Sequence, residues 1–271
     1  MNIHTIILAG GKGTRMLSQK AKVLQVLGGR TMLDHVMTTA NKVADKISVV
    51  VGFDKEGVEE EIREIGINAN IYLQKEQIGT ADAVKTALND INENEKILIL
   101  YGDVPLIKEE TLKKLCNQES DLSILTTNLE NPKGYGRALK DKENNVLGII
   151  EEKDADLEQK KIKEIFTGIL VAKGGILKKH IPEIDDNNSA KEYYLTDIVK
   201  MAGEHGYSST YVQCEENECL GVNSQFELSL AERKFQDDFR IRLMASGVSM
   251  ASPETCFFSY DTKIKSGCVI E

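Results

Sequence analysis

The stretch Ile6-Ile-Leu-Ala-Gly-Gly-Lys-Gly-Thr-Arg-Met16 limits the fold more than any other part of the chain. Ile3, Thr5, Ile6, Ile7 and Leu8 are β-branched or apolar without helical spacing, which reads as a buried strand. The strand runs into Gly10, Gly11 and Gly13. Glycines so close together permit positive φ and let a bulky group approach backbone N–H atoms. Lys12 and Arg15 place two cations in the same loop, and Lys22 follows. Gly-rich sequence alone would read as a tight turn. With the cations it reads as a cradle for phosphates, because oriented amides and fixed cations both favour anions. Neither the P-loop spacing nor the dinucleotide fingerprint fits, since the latter requires Gly where Met16 stands.

Strands and helices alternate behind this loop. The spacing of Met32, Leu33, Val36, Met37 and Ala40 predicts a helix over residues 31–43 capped by Thr31. Strands are expected at 46–51, 70–73 and 96–101, and helices at 54–65, before Gly66, and from Gly79 to Leu88. Such alternation implies right-handed crossovers and a mostly parallel sheet, with ligands outside the carboxyl ends of its strands. From Asp121 onward the pattern changes to strands without long helices between them, at 122–127, near 138, at 146–150 and at 164–172. These read as an antiparallel annex over the mouth of the sheet. Short strands are expected at 207–213 and 218–221, and a long helix from Asn223 to about Ala245.

Several polar residues fall at strand ends. Gln74 and Gln77 offer both donors and acceptors ahead of Gly79 and Thr80, as a base reader or as a plain loop with a helix cap. Asp103 ends an apolar strand, where a carboxylate is costly without compensation. Asp103-Val-Pro105 reads as a turn, or Asp103 as a ligand of Mg²⁺, which prefers one or two carboxylates plus substrate phosphates. Glu151-Glu-Lys-Asp154 reads by default as a solvated strand end, and Thr196 and Asn223 as helix caps.

Leu8 to Met16 followed by Lys22-Val-Leu24 resembles the signature of sugar-1-phosphate nucleotidyltransferases. More narrowly, it resembles the N-acetylglucosamine-1-phosphate uridyltransferase half of the bifunctional bacterial uridyltransferase/acetyltransferases. Gln74-x-x-Gln77-x-Gly79-Thr80-Ala81, Gly134-Tyr-Gly136-Arg137, Glu151-x-Lys153-Asp154 and Glu192-Tyr-Tyr-x-Thr196-Asp197 extend the resemblance from about residue 3 to 250. It implies an α/β, Rossmann-like, mostly parallel mixed sheet flanked by helices, the nucleotide-diphospho-sugar transferase fold. It also implies transfer of uridyl from UTP to N-acetylglucosamine 1-phosphate, for cell-wall peptidoglycan and lipopolysaccharide precursors. Arg15 and Lys22 would be catalytic. Leu8, Ala9, Gly10, Gly11, Gln74, Gln77, Gly79 and Thr80 would bind the nucleotide. Tyr101, Gly102, Gly136, Glu151, Lys153 and Glu192 would bind the sugar phosphate. Mg²⁺ would sit on Asp103 and Asn223. Asp103-Val-Pro105 lacks the second carboxylate of the Asp-x-Asp glycosyltransferases.

One position departs from the resemblance. Where the family carries a sugar-contacting asparagine, Glu164-Ile-Phe166-Thr-Gly-Ile169 has a phenylalanine, which makes no such hydrogen bonds. Two alternatives therefore stand beside N-acetylglucosamine transfer: a nucleotidyltransferase for another sugar 1-phosphate, and a non-catalytic nucleotide-sugar-binding regulator.

The expected domains are a nucleotidyltransferase domain at 1–222, a linker helix at 223–246 and the start of a left-handed β-helix at 247–271. Thr262-Lys-Ile-Lys-Ser-Gly-Cys-Val-Ile270 gives about one turn of such a helix. Roughly three repeats are needed to bury a core, so this reads as the N-terminal portion of a longer chain or a naturally short enzyme. A homotrimer is expected where the natural chain carries a full β-helix. The net charge of −9 over 271 residues argues against nonspecific nucleic-acid binding as the main task. Five scattered cysteines without a C-x-x-C pair and no signal-peptide pattern lead to an expectation of a cytoplasmic protein. No run approaches the ~20 apolar residues of a membrane span.

Overall fold

The computed structural model describes residues 2–219 and 221–271. The strands are β1 (Ile3–Leu8), β2 (Val26–Leu27), β3 (Arg30–Thr31), β4 (Lys46–Val51), β5 (Asn70–Leu73), β6 (Lys96–Tyr101) and β7 (Leu122–Asn128). They continue as β8 (Arg137–Lys140), β9 (Val146–Ile150), β10 (Glu164–Lys173), β11 (Ser209–Gln213), β12 (Ser249–Met250) and β13 (Val269–Ile270). The helices are α1 (Met32–Ala40), α2 (Lys55–Ile65), α3 (Thr80–Lys85) and α4 (Glu109–Cys116), then α5 (Gly174–His180), α6 (Asp197–Glu204), α7 (Glu216–Cys219) and α8 (Gln225–Ala245).

Nine strands form one sheet in the order β11-β7-β10-β6-β1-β4-β5, with β8 and β9 branching from β10. β1 lies between β6 and β4, parallel to both, and β4 is parallel to β5. The order steps outward from β1 in both directions, so the loops after β1 and β6 diverge at the carboxyl ends and leave a crevice. Both faces of β1 and β6 are covered. Ile6, Ile97 and Ile99 pack into one core, and Ile7, Leu98 and Leu100 into the other. That two-sided burial explains why these strands lack alternation in sequence.

The expected antiparallel annex is partly corrected. β7 and β10 are members of the main sheet, with β10 antiparallel to both β6 and β7. Only the β8–β9 pair departs from its path. β10 carries a register shift between Phe166 and Leu170, and Gly168 within it has φ 93°. A bulge of this kind bends a strand and re-aims its side chains.

Other expectations change at element ends. Thr31 caps α1, accepting from the Asp34 N–H at 3.1 Å. Helix α4 was not expected, although Thr111, Leu112, Leu115 and Cys116 share its buried face. Residues 216–219 are helical rather than extended. The Glu218 carboxylate accepts from the Glu215 N–H at 3.1 Å and from the Thr111 hydroxyl at 2.9 Å, closing the turn. Thr196 precedes α6 without a side-chain cap. The cap of α8 is Ser224, which accepts from the Glu227 N–H at 3.2 Å, so Asn223 is not the cap.

The segment after α8 folds back on that helix. Phe239, Leu243 and Val248 pack with Phe258, Ile264 and Ile270. β12 and β13 form one two-residue parallel pair, which does not show the expected β-helix start. The Tyr260 N–H donates to the Gly28 carbonyl at 2.8 Å, and the Arg30 guanidinium lies 4.3 Å over the Tyr260 ring. The tail is thereby strapped to the β2–β3 hairpin.

Candidate active site

Two adjoining clefts open at the carboxyl ends of the strands. The first, about 240 Å³, is lined by all eight residues expected to bind a nucleotide: Leu8 to Gly11, Gln74, Gln77, Gly79 and Thr80. Lys22, Val23, Ala83, Tyr101, Asp103 and Glu192 complete its wall. The second, about 290 Å³, is lined by Gly136, Glu151, Phe166 to Gly168, Tyr194, Thr196 and Asn223. Thr80, Tyr101, Asp103 and Glu192 belong to both. One continuous depression can therefore hold two molecules with their reacting ends beside Asp103.

Main-chain geometry shapes the first cleft. Gly79 has φ 141°, and a Cβ there would run into the Tyr193 backbone. The Tyr193 N–H donates to the Ile78 carbonyl at 2.9 Å and its own carbonyl accepts from the Ala81 N–H at 2.9 Å. This pins the 192–196 segment to the start of α3. Gly13 has φ 60°, and a Cβ on it would lie 2.6 Å from the Lys22 Cβ. The Gly-rich loop thus packs on the Lys22 stem.

Gln74 is 5% exposed. Its amide Nε2 donates to the Gly79 carbonyl at 3.0 Å and to Asp82 Oδ2 at 2.9 Å. Both partners are acceptors, so the orientation of the amide is fixed and Oε1 lies toward Gly10 on the cleft wall. Gln77 is exposed and donates to the Gln74 carbonyl at 3.3 Å.

Lys22 Nζ hydrogen-bonds to Asp103 Oδ2 and, at 2.9 Å, to Asn223 Oδ1. Asp103 ends β6 and Asn223 precedes α8, so the fold brings together residues far apart in sequence. Capping by Ser224 leaves the Asn223 side chain free to face Asp103. The two oxygens are a hard donor pair, and a lysine ammonium already sits between them as a stand-in cation. A hard divalent ion such as Mg²⁺ fits this pair. Among the described residues no cluster of three or more His, Cys, Asp or Glu has metal-binding geometry. The remaining ligands would be substrate phosphates and water.

Glu151 faces the second cleft and accepts from the Thr196 hydroxyl at 3.1 Å. Burial pushes its carboxyl above the ordinary glutamate range, against the lowering effect of that hydrogen bond. Burial likewise raises the Tyr101 phenol, and it lifts that of Tyr194 to about 12. Phe166, the departure from the family pattern, is 6% exposed, and its N–H donates to the Gly136 carbonyl at 2.9 Å.

Three expected site residues line neither cleft. Arg15 is exposed on the single helical turn Thr14–Met16, between the left-handed residues Gly13 and Leu17. Lys153 is exposed beyond Glu151. Gly102 is buried behind the first cleft, where a Cβ would lie 2.9 Å from a Val23 methyl. Conversely, the sequence reading did not single out Tyr135, Tyr194, Thr167, Gly168 or Asp82. Tyr135, Tyr194, Thr167 and Gly168 lay inside the stretches that carry the resemblance or its departure, which was their one signal, and Asp82 lay outside them.

A second polar constellation has the spacing of a catalytic triad. His4 Nε2 is 2.8 Å from Ser48 Oγ and its Nδ1 is 3.1 Å from Glu95 Oε1. His4 on β1 and Ser48 on β4 are fully buried, however, and the Ser48 hydroxyl donates to Asp90 at 3.1 Å. With no access for a substrate, this network serves structure.

Comparison with known proteins bears on the family and the fold. Residues 5–149 match the model of the MobA-like NTP transferase domain. Bifunctional protein GlmU of Francisella tularensis subsp. novicida is 45% identical over 257 residues, covering 93% of this chain and 56% of that protein. GlmU of F. tularensis subsp. holarctica strain OSU18 gives the same identity and coverage. The chain thus spans about half the length of these curated relatives. A putative glucose-1-phosphate thymidylyltransferase from Bacillus anthracis, solved with sucrose, shares the fold. Its TM-score is 0.65 at 19% identity, over 85% of this chain and 94% of that one.

Proposed function

We propose, from the premise that this chain belongs to the MobA-like NTP transferase domain family, that it joins UTP to N-acetylglucosamine 1-phosphate, releasing pyrophosphate and a UDP-sugar for bacterial cell-envelope precursors. The observation that carries the reading is the pair of clefts sharing Asp103 and Tyr101, one lined by the Gly loop and Gln74, the other by Glu151 and Tyr194. The identity with GlmU supports the same substrates.

An oxygen of the sugar phosphate attacks the α-phosphorus of UTP in line. The bond from that phosphorus to the bridging oxygen breaks, and pyrophosphate leaves with the electron pair. The attacker is already an anion, so no protein base is required. Catalysis is then positioning plus charge neutralisation. The Gly10 to Thr14 amides and Arg15 hold the β- and γ-phosphates. Lys22, at the junction of the clefts, neutralises the α-phosphate. Glu151 accepts hydrogen bonds from sugar hydroxyls, with Glu192 beside it, and Lys153, exposed beyond Glu151, would turn inward to meet the sugar's phosphate. Mg²⁺, held by Asp103 and Asn223, supplies further neutralisation of phosphate charge when bound. Five free cysteines support a reducing, cytoplasmic setting.

The test is pyrophosphate release with UTP and Mg²⁺ across N-acetylglucosamine, glucosamine, glucose and N-acetylgalactosamine 1-phosphates. Turnover with the first, lost in Asp103→Ala, supports the reading. Silence with all four sugars in a protein that binds UTP would overturn it. Phe166 in the wall of the second cleft favours one further reading, in which the chemistry stands and another sugar is preferred.

A further inference from the structure

We propose that Asp82 is the specificity-determining residue for the base, acting through Gln74. This rests on the reading of the first cleft as the nucleotide site. A glutamine amide can turn over and offer either its oxygen or its nitrogen to a ligand, so Gln74 alone would not separate one pyrimidine from another. Here it cannot turn freely. Nε2 is committed to the Gly79 carbonyl at 3.0 Å and to the Asp82 carboxylate at 2.9 Å. Turning the amide would set its oxygen against two acceptors, one of them charged. Oε1 is therefore the atom on the cleft side, toward Gly10.

An acceptor in that place selects a base with a donor at the matching edge. Uracil carries N3–H; cytosine carries a bare N3 lone pair. Uracil satisfies Oε1, whereas cytosine leaves two acceptors facing each other, which costs more than a merely missing bond. The Gly79 carbonyl holds one amide hydrogen of Gln74 while also accepting from the Ala83 N–H at 3.3 Å, and the Asp82 carboxylate supplies the second, shorter and charge-assisted bond that a turned amide would lose. Asp82 sits in that first turn, where a carboxylate suits the helix dipole. It lines neither cleft, so its effect on the base is indirect and it is a positioning residue.

The test measures UTP and CTP binding by titration calorimetry, and kcat/KM for each, in the parent protein and in Asp82→Ala, Asp82→Asn and Asp82→Glu. The parent is expected to prefer UTP by roughly 100-fold or more. The Ala and Asn variants should narrow that ratio by about 10-fold, the worth of a hydrogen bond to a charged group, chiefly through tighter CTP binding, and Asp82→Glu should restore part of it. An unchanged ratio in both Ala and Asn variants, or equal weakening of both nucleotides, would show a merely structural role and overturn the proposal. Equal UTP and CTP binding by the parent would also overturn it while leaving the transferase reading intact. Selective UTP binding relaxed in the variants, without pyrophosphate release from any sugar phosphate, would sink the transferase reading and keep this one. Binding of neither nucleotide would remove both.

Discussion

Lys22 and Asp103 are ion-paired across the junction of the two clefts, and the same ammonium reaches the Asn223 carboxamide oxygen at 2.9 Å. The pair neutralises a carboxylate that would otherwise stand alone at the end of an apolar strand. It also sets a cation where a divalent ion would bind. Lys22→Met is expected to raise the affinity for Mn²⁺ without nucleotide by about 10-fold, on the scale of one close charge contact at the protein surface. Electron paramagnetic resonance of free Mn²⁺ would measure this. The gain should vanish in Lys22→Met combined with Asp103→Asn; a gain that persists would place the ion elsewhere.

Asp103→Ala should leave the fold intact and lower kcat by at least about 100-fold, the loss typical of one fixed group that stabilises transition-state charge. Circular dichroism alongside a pyrophosphate-release assay checks both halves. Activity retained within a few-fold would remove Asp103 from the site.

Glu151 should set the acid limb of sugar-phosphate binding. Its carboxyl must be ionised to accept two hydroxyl donors, and burial raises its pKa. KM for the sugar phosphate should therefore rise as pH falls through a value above the ordinary glutamate range. Thr196→Val removes the hydrogen bond that favours the ionised form, so the limb should move to higher pH. A shift to lower pH would contradict the arrangement.

His35 links stability to pH. Burial lowers its pKa to about 4 from 6.5, against the raising effect of its bond to the Leu27 carbonyl. The folded state then holds fewer protons than the unfolded chain between those values. Stability is full above pH 6.5 and falls as pH drops toward 4, by as much as about 3 kcal/mol once the imidazole is forced to charge. Urea midpoints at pH 7 and 4.5 measure the fall, and His35→Gln should flatten it. His35 faces Phe235 and Tyr260 at 5.6 and 6.5 Å, so the tail strap should loosen first, seen as faster amide exchange at Tyr260.

Arg137 is the largest fully buried side chain, tied to the Tyr135 carbonyl and to Glu152 Oε2 at 2.6 Å. Arg137→Ala frees the turn that carries Tyr135 and Gly136 and leaves Glu152 without its partner. The expected cost is about 2 kcal/mol, below that of a wholly buried pair because Glu152 is partly exposed. Thermal unfolding and the KM for sugar phosphate report the two effects.

The parallel half of the fold was legible because its signals are local. Ile6 to Leu8, Val49 to Val51 and Ile97 to Leu100 are apolar runs too short for helices, and each ends at glycine or a polar turn. The eight residues expected to bind the nucleotide were named by the family resemblance, and they share one cleft because they lie at or beyond the carboxyl ends of β1 and β5. The antiparallel half was less legible. Whether β7 and β10 join the main sheet depends on which edge each finds, and no single segment encodes that choice.

Sequence by itself determined which chemistry could occur, through the Gly loop with Lys12 and Arg15, the paired glutamines and one carboxylate at a strand end. The tertiary structure decided which groups meet. Lys22, Asp103 and Asn223 meet only after some 200 residues of chain have folded around them, and Asp82 fixes Gln74 because the loop 74–79 brings the first turn of α3 back beside the end of β5. Asn223 read as a cap because an asparagine ahead of a helix usually is one. Ser224 takes that task here, and the carboxamide is left to face Asp103. Distance along the chain carries no information about such contacts, which are set by the packing of elements that are each locally determined.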